Sequence, residues 1–262
     1  MGELKMYFKL VKMNLLSSLE YKGWWLMILQ VVTVVVTDPL GTVFMFSRFG
    51  SIGPWTMERI LLIYSISVSS YGFAESFCRG MDYFPWHILR TGGFDRLMLR
   101  PKSLFTQVAA SYFHIHRLSR PLTGLGIIIW CLSRQGIQAT PHNTVMLITA
   151  LLGGTLLYIG IITATGGFAF FTIKTMEWFN ILTFAGFQVT RIPMEYMPPA
   201  LKNAFTFFFP MLVISYYPAS AICGWGDSAW LGWLALPAGA AFFGFSLLIW
   251  RFGVRRYKST GS

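Results

Sequence analysis

The feature that most constrains this chain is a series of apolar runs, each about one bilayer thick. Thr144 to Gly166 carries no charged residue, and a membrane-crossing helix needs about 20 such residues. Only 12% of all residues are charged, while 55% are hydrophobic and 17% aromatic. A soluble globular domain carries about 25% charged residues, so disorder, coiled coil and most water-soluble enzymes are excluded. The 262 residues leave room for about five to seven spans with modest loops. Residues 1–262 therefore read as one transmembrane domain.

Lys and Arg number 21 against 10 Asp and Glu, a formal charge of +11. On so apolar a chain this excess points to cytoplasmic loops rather than to nucleic acid. Cys78, Cys131 and Cys223 are scattered and imply no disulfide framework. Residues 1–23 read as an interfacial helix: Leu4, Phe8, Val11, Leu15 and Leu19 fall on one face, with Lys5, Lys9 and Lys12 beside it.

The first span is expected over Trp24–Phe46. It has no small-residue cleavage pattern behind it and reads as a span rather than a signal peptide. It holds Asp38, the one carboxylate expected well inside a span and so a functional residue by default. The alternative is that Pro39 ends the helix early and leaves Asp38 solvated. Further spans are expected over Ile60–Phe77, Leu122–Ser133, Thr144–Gly166 and Trp230–Trp250. Residues 178–190 and 205–222 compete for the remaining place.

Parity decides between them. If both crossed, the lysines of the N-terminal helix and the tail cations Arg251, Arg255, Arg256 and Lys258 would lie on opposite sides. Prolines 193, 198, 199, 210 and 218 chop the second stretch, so 193–226 reads as an outer re-entrant segment, with the fifth span within Met176–Thr190. Irregular backbone at membrane depth must be buried in protein or line a cavity. This arrangement puts sixteen Lys and Arg inside and five outside, namely Arg48, Arg59, Arg134, Arg191 and Lys202. Both termini are then cytoplasmic.

Enzyme chemistry finds no support. The chain has no P-loop, HExxH, Cys-x-x-Cys or Gly-x-Ser-x-Gly. His114 and His116 do not share a helical face, and metal binding is not expected there. The loop 79–120 stands out, with Arg79, Arg90, Arg96, Arg100, Lys102, Arg117 and Arg120 against Asp82 and Asp95. At its centre Gly92 and Gly93 permit a sharp turn, Asp95 suits the first turn of a short helix, and Pro101 helps to end it. Phe94, Leu97 and Met98 give that helix an apolar side.

The run from Gly92 to Pro101 resembles the cytoplasmic loop of type-2 ABC transporter permeases, most of all the drug, antibiotic or viologen exporter subgroup. There a Gly-x-Phe/Leu-Asp-x-x-Leu-Leu-Arg-Pro run lies between spans two and three; here Met98 replaces the first leucine. Gly53-Pro54-Trp55-Thr56 with Glu58 is similar to the first outer loop, and Pro210 with Tyr217-Pro218-Ala219 to the stretch before the last span. Trp250-Arg251-Phe252-Gly253 with Arg255-Arg256-Tyr257 resembles the closing signature.

The resemblance implies an all-α polytopic membrane protein with six transmembrane helices, an N-terminal interfacial helix and a cytoplasmic coupling helix. It implies a non-catalytic permease subunit of an exporter in a bacterial cytoplasmic membrane, paired with a second permease subunit, identical or related. A separate ABC ATP-binding subunit would hold the ATP and Mg²⁺; this chain would hold no cofactor. Arg90, Gly92, Gly93, Phe94, Asp95, Leu97, Arg100 and Pro101 would form the coupling element, with Phe94 and Leu97 filling a groove on the ATPase. Asp38, Gln188, Glu195, Phe205, Phe207, Tyr216 and Tyr217 would line the route or its outer gate, a set suited to an amphipathic organic cation. The rivals are a non-transporting membrane scaffold and a proton-coupled transporter, which predicts internal repeats that are not evident.

Overall fold

The computed structural model describes residues 2–20, 24–172, 186–225 and 229–258. Among these the protein is all-helical, with one isolated β-bridge, Ile52 to Trp55, in a turn. Helix α1 (Glu3–Glu20) lies against one end of a helix bundle. Tyr7 Oη donates to the Phe77 carbonyl at 2.7 Å, and Asn14 Nδ2 to the Ala110 carbonyl at 3.0 Å. Lys5, Lys9, Lys12 and Phe8 stay exposed.

Helix α2 (Trp24–Phe49) continues through Pro39, so the helix does not end at Asp38. Gly50 and Gly53, at φ +70° and +59°, turn the chain into α3 (Met57–Cys78). These left-handed values favour glycine. In α3, 89% of the apolar window is buried, against 12% in α2. Helix α3 is the axis of the bundle and α2 its outer flank. The axis is rich in serine, and each hydroxyl is satisfied within the protein. Ser65 donates to Leu62 O, Ser70 to Ile66 O, Ser76 to Gly72 O, and Ser67 pairs with the Tyr158 hydroxyl at 2.8 Å. Without water in a bilayer core, an unpaired hydroxyl would cost several kcal/mol.

Small residues let the other helices approach closely. Helix α7 (Ser119–Arg134) packs on α3: a Cβ at Gly72 would sit 2.5 Å from Pro121 Cδ, and one at Gly124 would sit 2.1 Å from Ser69 Oγ. Helix α8 (Pro141–Thr172) pairs with the last helix, α12 (Ala235–Arg256). Gly153, Gly160 and Gly167 face Gly239, Ser246 and Gly253, each series at seven-residue spacing. That spacing holds one face of each helix against the other. The contacts advance in the same order along both, so α8 and α12 run parallel.

Parallel helices oblige the chain between them to return from one end of the bundle to the other. The expected fifth span, Met176–Thr190, lies outside the described residues as far as 185. From there, a Cβ at Gly186 would meet the Tyr158 hydroxyl midway along α8. Arg191 then lies over the Tyr64 ring at 4.1 Å, and Glu195 accepts from Trp55 Nε1 at 2.9 Å. Trp55 marks the far end, opposite α1. A bent pair follows, Pro199–Phe208 and Met211–Cys223, with 69° between its limbs. It comprises α9 (Pro199–Asn203), a π-helical turn, α10 (Met211–Ile214) and α11 (Tyr216–Cys223). Pro210, which cannot donate a backbone hydrogen bond, stands at the elbow. Beyond α11, Trp225 meets Trp55 edge to face at 6.2 Å. The residues just before and just after the pair thus both lie beside Trp55, and the bend suits a re-entrant loop or a broken span.

By length and composition, four described helices can cross a membrane, or five if the bent pair is one span. The expected six also need α7, 16 residues long, and the passage through Met176–Thr190. Helix α12 follows a 3-10 turn, Ala229–Leu234, and carries Arg251, Arg255 and Arg256 within the helix rather than in a tail. Cations in a last turn complement the helix dipole.

Candidate functional site

The basic loop is folded, not extended. Helix α3 runs almost directly into α4 (Gly80–Phe84), a π-helical turn over Pro85–Leu89, α5 (Gly93–Met98) and α6 (Leu104–Ala109). Gly92, at φ +69°, makes the sharp entry to α5, and Asp95 sits in its first turn. The exit from α5 is held by Gln107, 2% exposed, whose Nε2 donates to the Leu97 carbonyl at 3.3 Å and the Lys102 carbonyl at 3.2 Å. This staple carries no sequence motif. Beyond it the chain runs through Pro101 into α6.

The expectation that Phe94 fills a partner's groove is corrected by its burial. Its ring is fully buried within this chain, edge-on to Phe84 at 5.5 Å, Phe170 at 5.2 Å and Tyr257 at 4.8 Å. Phe84 and Phe170 in turn contact Trp250. Phe94 therefore pins α5 to the ends of α8 and α12, because an aromatic this large gains most from burial on the side where rings already cluster. Leu97 is half-buried on the same core. The apolar side chains that α5 and its exit present outward are Met98, 45% exposed, and Leu99, 85% exposed. Arg90, Arg96 and Arg100 are exposed around them, with Arg90 over the Trp86 ring at 5.4 Å.

A second anchor lies where α3 leaves the bundle. Glu75, 4% exposed, faces three arginines: Arg79 at 3.0 Å, Arg120 at 2.7 Å, and Arg117. Arg79 also meets Asp82 at 2.8 Å, and Arg120 lies over Tyr71 at 5.4 Å. This cluster ties α3 to α4 and to the start of α7. Glu75 is thus a second carboxylate on a long apolar helix, placed in the last turn of α3 rather than well inside it as Asp38 is in α2. A charge near the end of an apolar run reads as a boundary, and nothing local shows that cations from 40 residues on return to cover it. Burial pushes the Asp82 carboxyl up to about 6, against the opposing pull of Arg79.

His114 and His116 do come together, contrary to the helical-face argument. His114 is extended and precedes a 3-10 turn, Ile115–Leu118, so the rings stand 5.4 Å apart. Burial and the Arg117 charge hold both below the ordinary histidine range, His116 at about 4. Among the described residues no group of three or more His, Cys, Asp or Glu is placed to hold a metal ion.

The expected pathway residues are spread over several elements. Asp38 lies in α2. Gln188 is half-buried, Phe205 and Tyr217 belong to the core, and Phe207 is 82% exposed. Glu195 and Tyr216 do gather at the far end around Trp55, with Tyr216 at 6.0 Å from its ring. Trp225 joins them under Arg59, whose guanidinium lies 4.8 Å from the ring centre.

A sequence model of the family described as ABC-2 family transporter protein matches residues 32–261. No curated protein and no solved structure matches the chain.

Proposed function

The chain belongs to the ABC-2 transporter family, and from that premise we propose that it is the membrane subunit of an ATP-driven exporter. Its place as a permease component of an ABC transporter follows from the family. The exporter reading adds a separate ATP-binding subunit, which holds ATP and Mg²⁺, and a second permease subunit across the pathway. In this reading the basic loop faces the cytoplasm of a bacterium, and both termini lie on that side.

The observation that carries the coupling assignment is the two-sidedness of α5. Its inner face is fixed by Phe94, while its exit presents Met98, Leu99 and a ring of arginines outward. Force applied to the outer face passes along two rigid routes. One runs through Phe94, Phe84 and Phe170 to α8 and α12. The other runs through α4 and the Glu75 cluster to α3 and α7. A ligand biases two conformations only through different interactions with each. Nucleotide-driven movement of the ATPase can therefore reach the spans only if the loop is tied this firmly.

For the cargo we propose an amphipathic organic cation, with Asp38 and Gln188 along the route and Glu195 and Tyr216 at the outer gate. Carboxylates combined with aromatic faces attract such molecules. Co-purification with the ATP-binding subunit, followed by a screen for compounds that stimulate hydrolysis, tests the whole reading. Met98→Asp with Leu99→Asp should abolish association without hindering membrane insertion. Unchanged association in that variant would remove the coupling assignment. Unchanged resistance to every tested cation in Asp38→Asn would remove the cargo assignment.

A further inference from the structure

Two cavities adjoin where α6 meets the bundle, and Phe105 stands in the wall of both. The first, about 350 Å³, is lined mainly by Tyr7, Phe77, Phe105, Ala109, Ile159 and Phe243. The second, about 570 Å³, has both apolar and basic lining. Phe105, Leu247 and Trp250 form its apolar wall, and Lys102, Arg251 and Arg255 its basic one. No carboxylate lines it. Glu3, at the edge of the first cavity, accepts the Ser103 backbone N–H at 3.2 Å. Arg251 and Arg255 are exposed, and among the described residues neither has an ion-pair partner shown.

We propose that the paired cavities bind one anionic phospholipid from the leaflet on the side of the basic loop. The phosphate lies among Lys102, Arg251 and Arg255. One acyl chain passes over Trp250 and Leu247 toward Phe105 and the apolar cavity behind it. Three features select this occupant. The exposed Arg251 and Arg255 demand an anion. The apolar wall and the adjoining cavity demand a hydrocarbon covalently joined to that anion, which inorganic phosphate and an acidic peptide both lack. The change from apolar to basic falls at Trp250 and Arg251, where α12 passes from apolar sequence to its basic last turn, the depth at which Trp and Arg meet headgroups. The bound lipid would join α6, at the base of the loop, to α12. The inference needs only a membrane and stands whether or not the exporter reading does.

The test is a titration of the purified full chain in uncharged micelles with phosphatidylglycerol, phosphatidylcholine or inorganic phosphate, read by native mass spectrometry. Phosphatidylglycerol should bind selectively. Each basic side chain near a headgroup contributes about fivefold in affinity, so Arg251→Ala or Arg255→Ala alone should weaken binding about fivefold. The double variant should weaken it at least tenfold, and Arg251→Lys with Arg255→Lys should keep the selectivity. Leu247→Trp, which fills the apolar side and leaves every charge in place, should also reduce binding. Equal binding of the two lipids would overturn the proposal, as would undiminished phosphatidylglycerol binding in the double alanine variant or in Leu247→Trp, or lost selectivity in the double lysine variant. Inorganic phosphate binding as tightly as the lipid would assign the basic wall to a free anion and overturn the lipid.

Discussion

Replacing Glu75 by Gln isolates the charge that holds the loop to the bundle. The side chain is 5% exposed, and its two oxygens serve three guanidinium groups, with Arg79 at 3.0 Å and Arg120 at 2.7 Å. Glutamine keeps the shape and one acceptor but removes the carboxylate charge that Arg79, Arg117 and Arg120 share. Asp82 still holds Arg79 at 2.8 Å, so the loss is less than that of the whole cluster. Removing one partner of a buried ion pair costs about 3–5 kcal/mol. The lower end is expected here, because Arg120 keeps its place over Tyr71. On a chain of this size about 3 kcal/mol lowers the unfolding midpoint by roughly 6–12 °C. Thermal unfolding in micelles measures that loss, and ATP hydrolysis by the complex with its ATPase measures coupling. Glu75→Gln should lower the midpoint and sever stimulation by substrate, while Glu75→Asp should retain part of both. A midpoint within 2 °C of the parent would refute the idea that this cluster anchors the loop.

Three other outcomes follow from the packing and the charges. Phe94→Ala should destabilise by about 3–5 kcal/mol, as large-to-small changes in a packed core do, whereas Leu99→Ala should leave the unfolding midpoint unchanged. Gly239→Ala should lose most folded protein on size-exclusion chromatography, since its Cβ would lie 1.9 Å from the Gly153 carbonyl oxygen. Gly244→Ala, with open space around the position, should behave as the parent. In the unfolded chain the histidines titrate near 6.5, but His116 titrates at about 4 when folded, so the unfolded state binds more protons between those values. Stability should therefore fall on acidification through that window. Asp82, raised to about 6, acts in the opposite sense, adding stability at low pH that fades as pH rises through 6. His114→Gln with His116→Gln should thus show a smaller loss of unfolding midpoint from pH 7 to pH 5 than the parent, and an equal loss would contradict the assignment.

Much of the architecture was legible because lipid imposes simple rules. Apolar run length placed α2, α3, α8 and the last helix, and proline spacing anticipated that the stretch around Pro210 is broken rather than one continuous helix. Side-chain direction was harder to read. Phe94, Leu97 and Met98 mark an apolar side of a six-residue helix, but periodicity does not say whether that side meets a partner or its own bundle. Phe170 and Tyr257, which decide the matter for Phe94, lie far away in sequence. The role of Glu75 is hidden for a similar reason, since its partners Arg117 and Arg120 lie on the far side of the loop. The glycines at 153, 160 and 167 did offer a signal, a seven-residue spacing matched by Gly239, Ser246 and Gly253, and it points directly to the tightest helix pair in the fold. The extra turns of α8 as far as Thr172 had no such marker.

The central claim, that the exit of α5 is the surface gripped by the ATP-binding subunit, is tested most directly by a photo-crosslinking side chain placed at Leu99 and, separately, at the equally exposed Phe207 in the bent pair. Illumination of membranes containing both subunits should yield an adduct with the ATPase from position 99 and none from position 207. An adduct from 207, or none from 99 in a complex that hydrolyses ATP, would contradict the account.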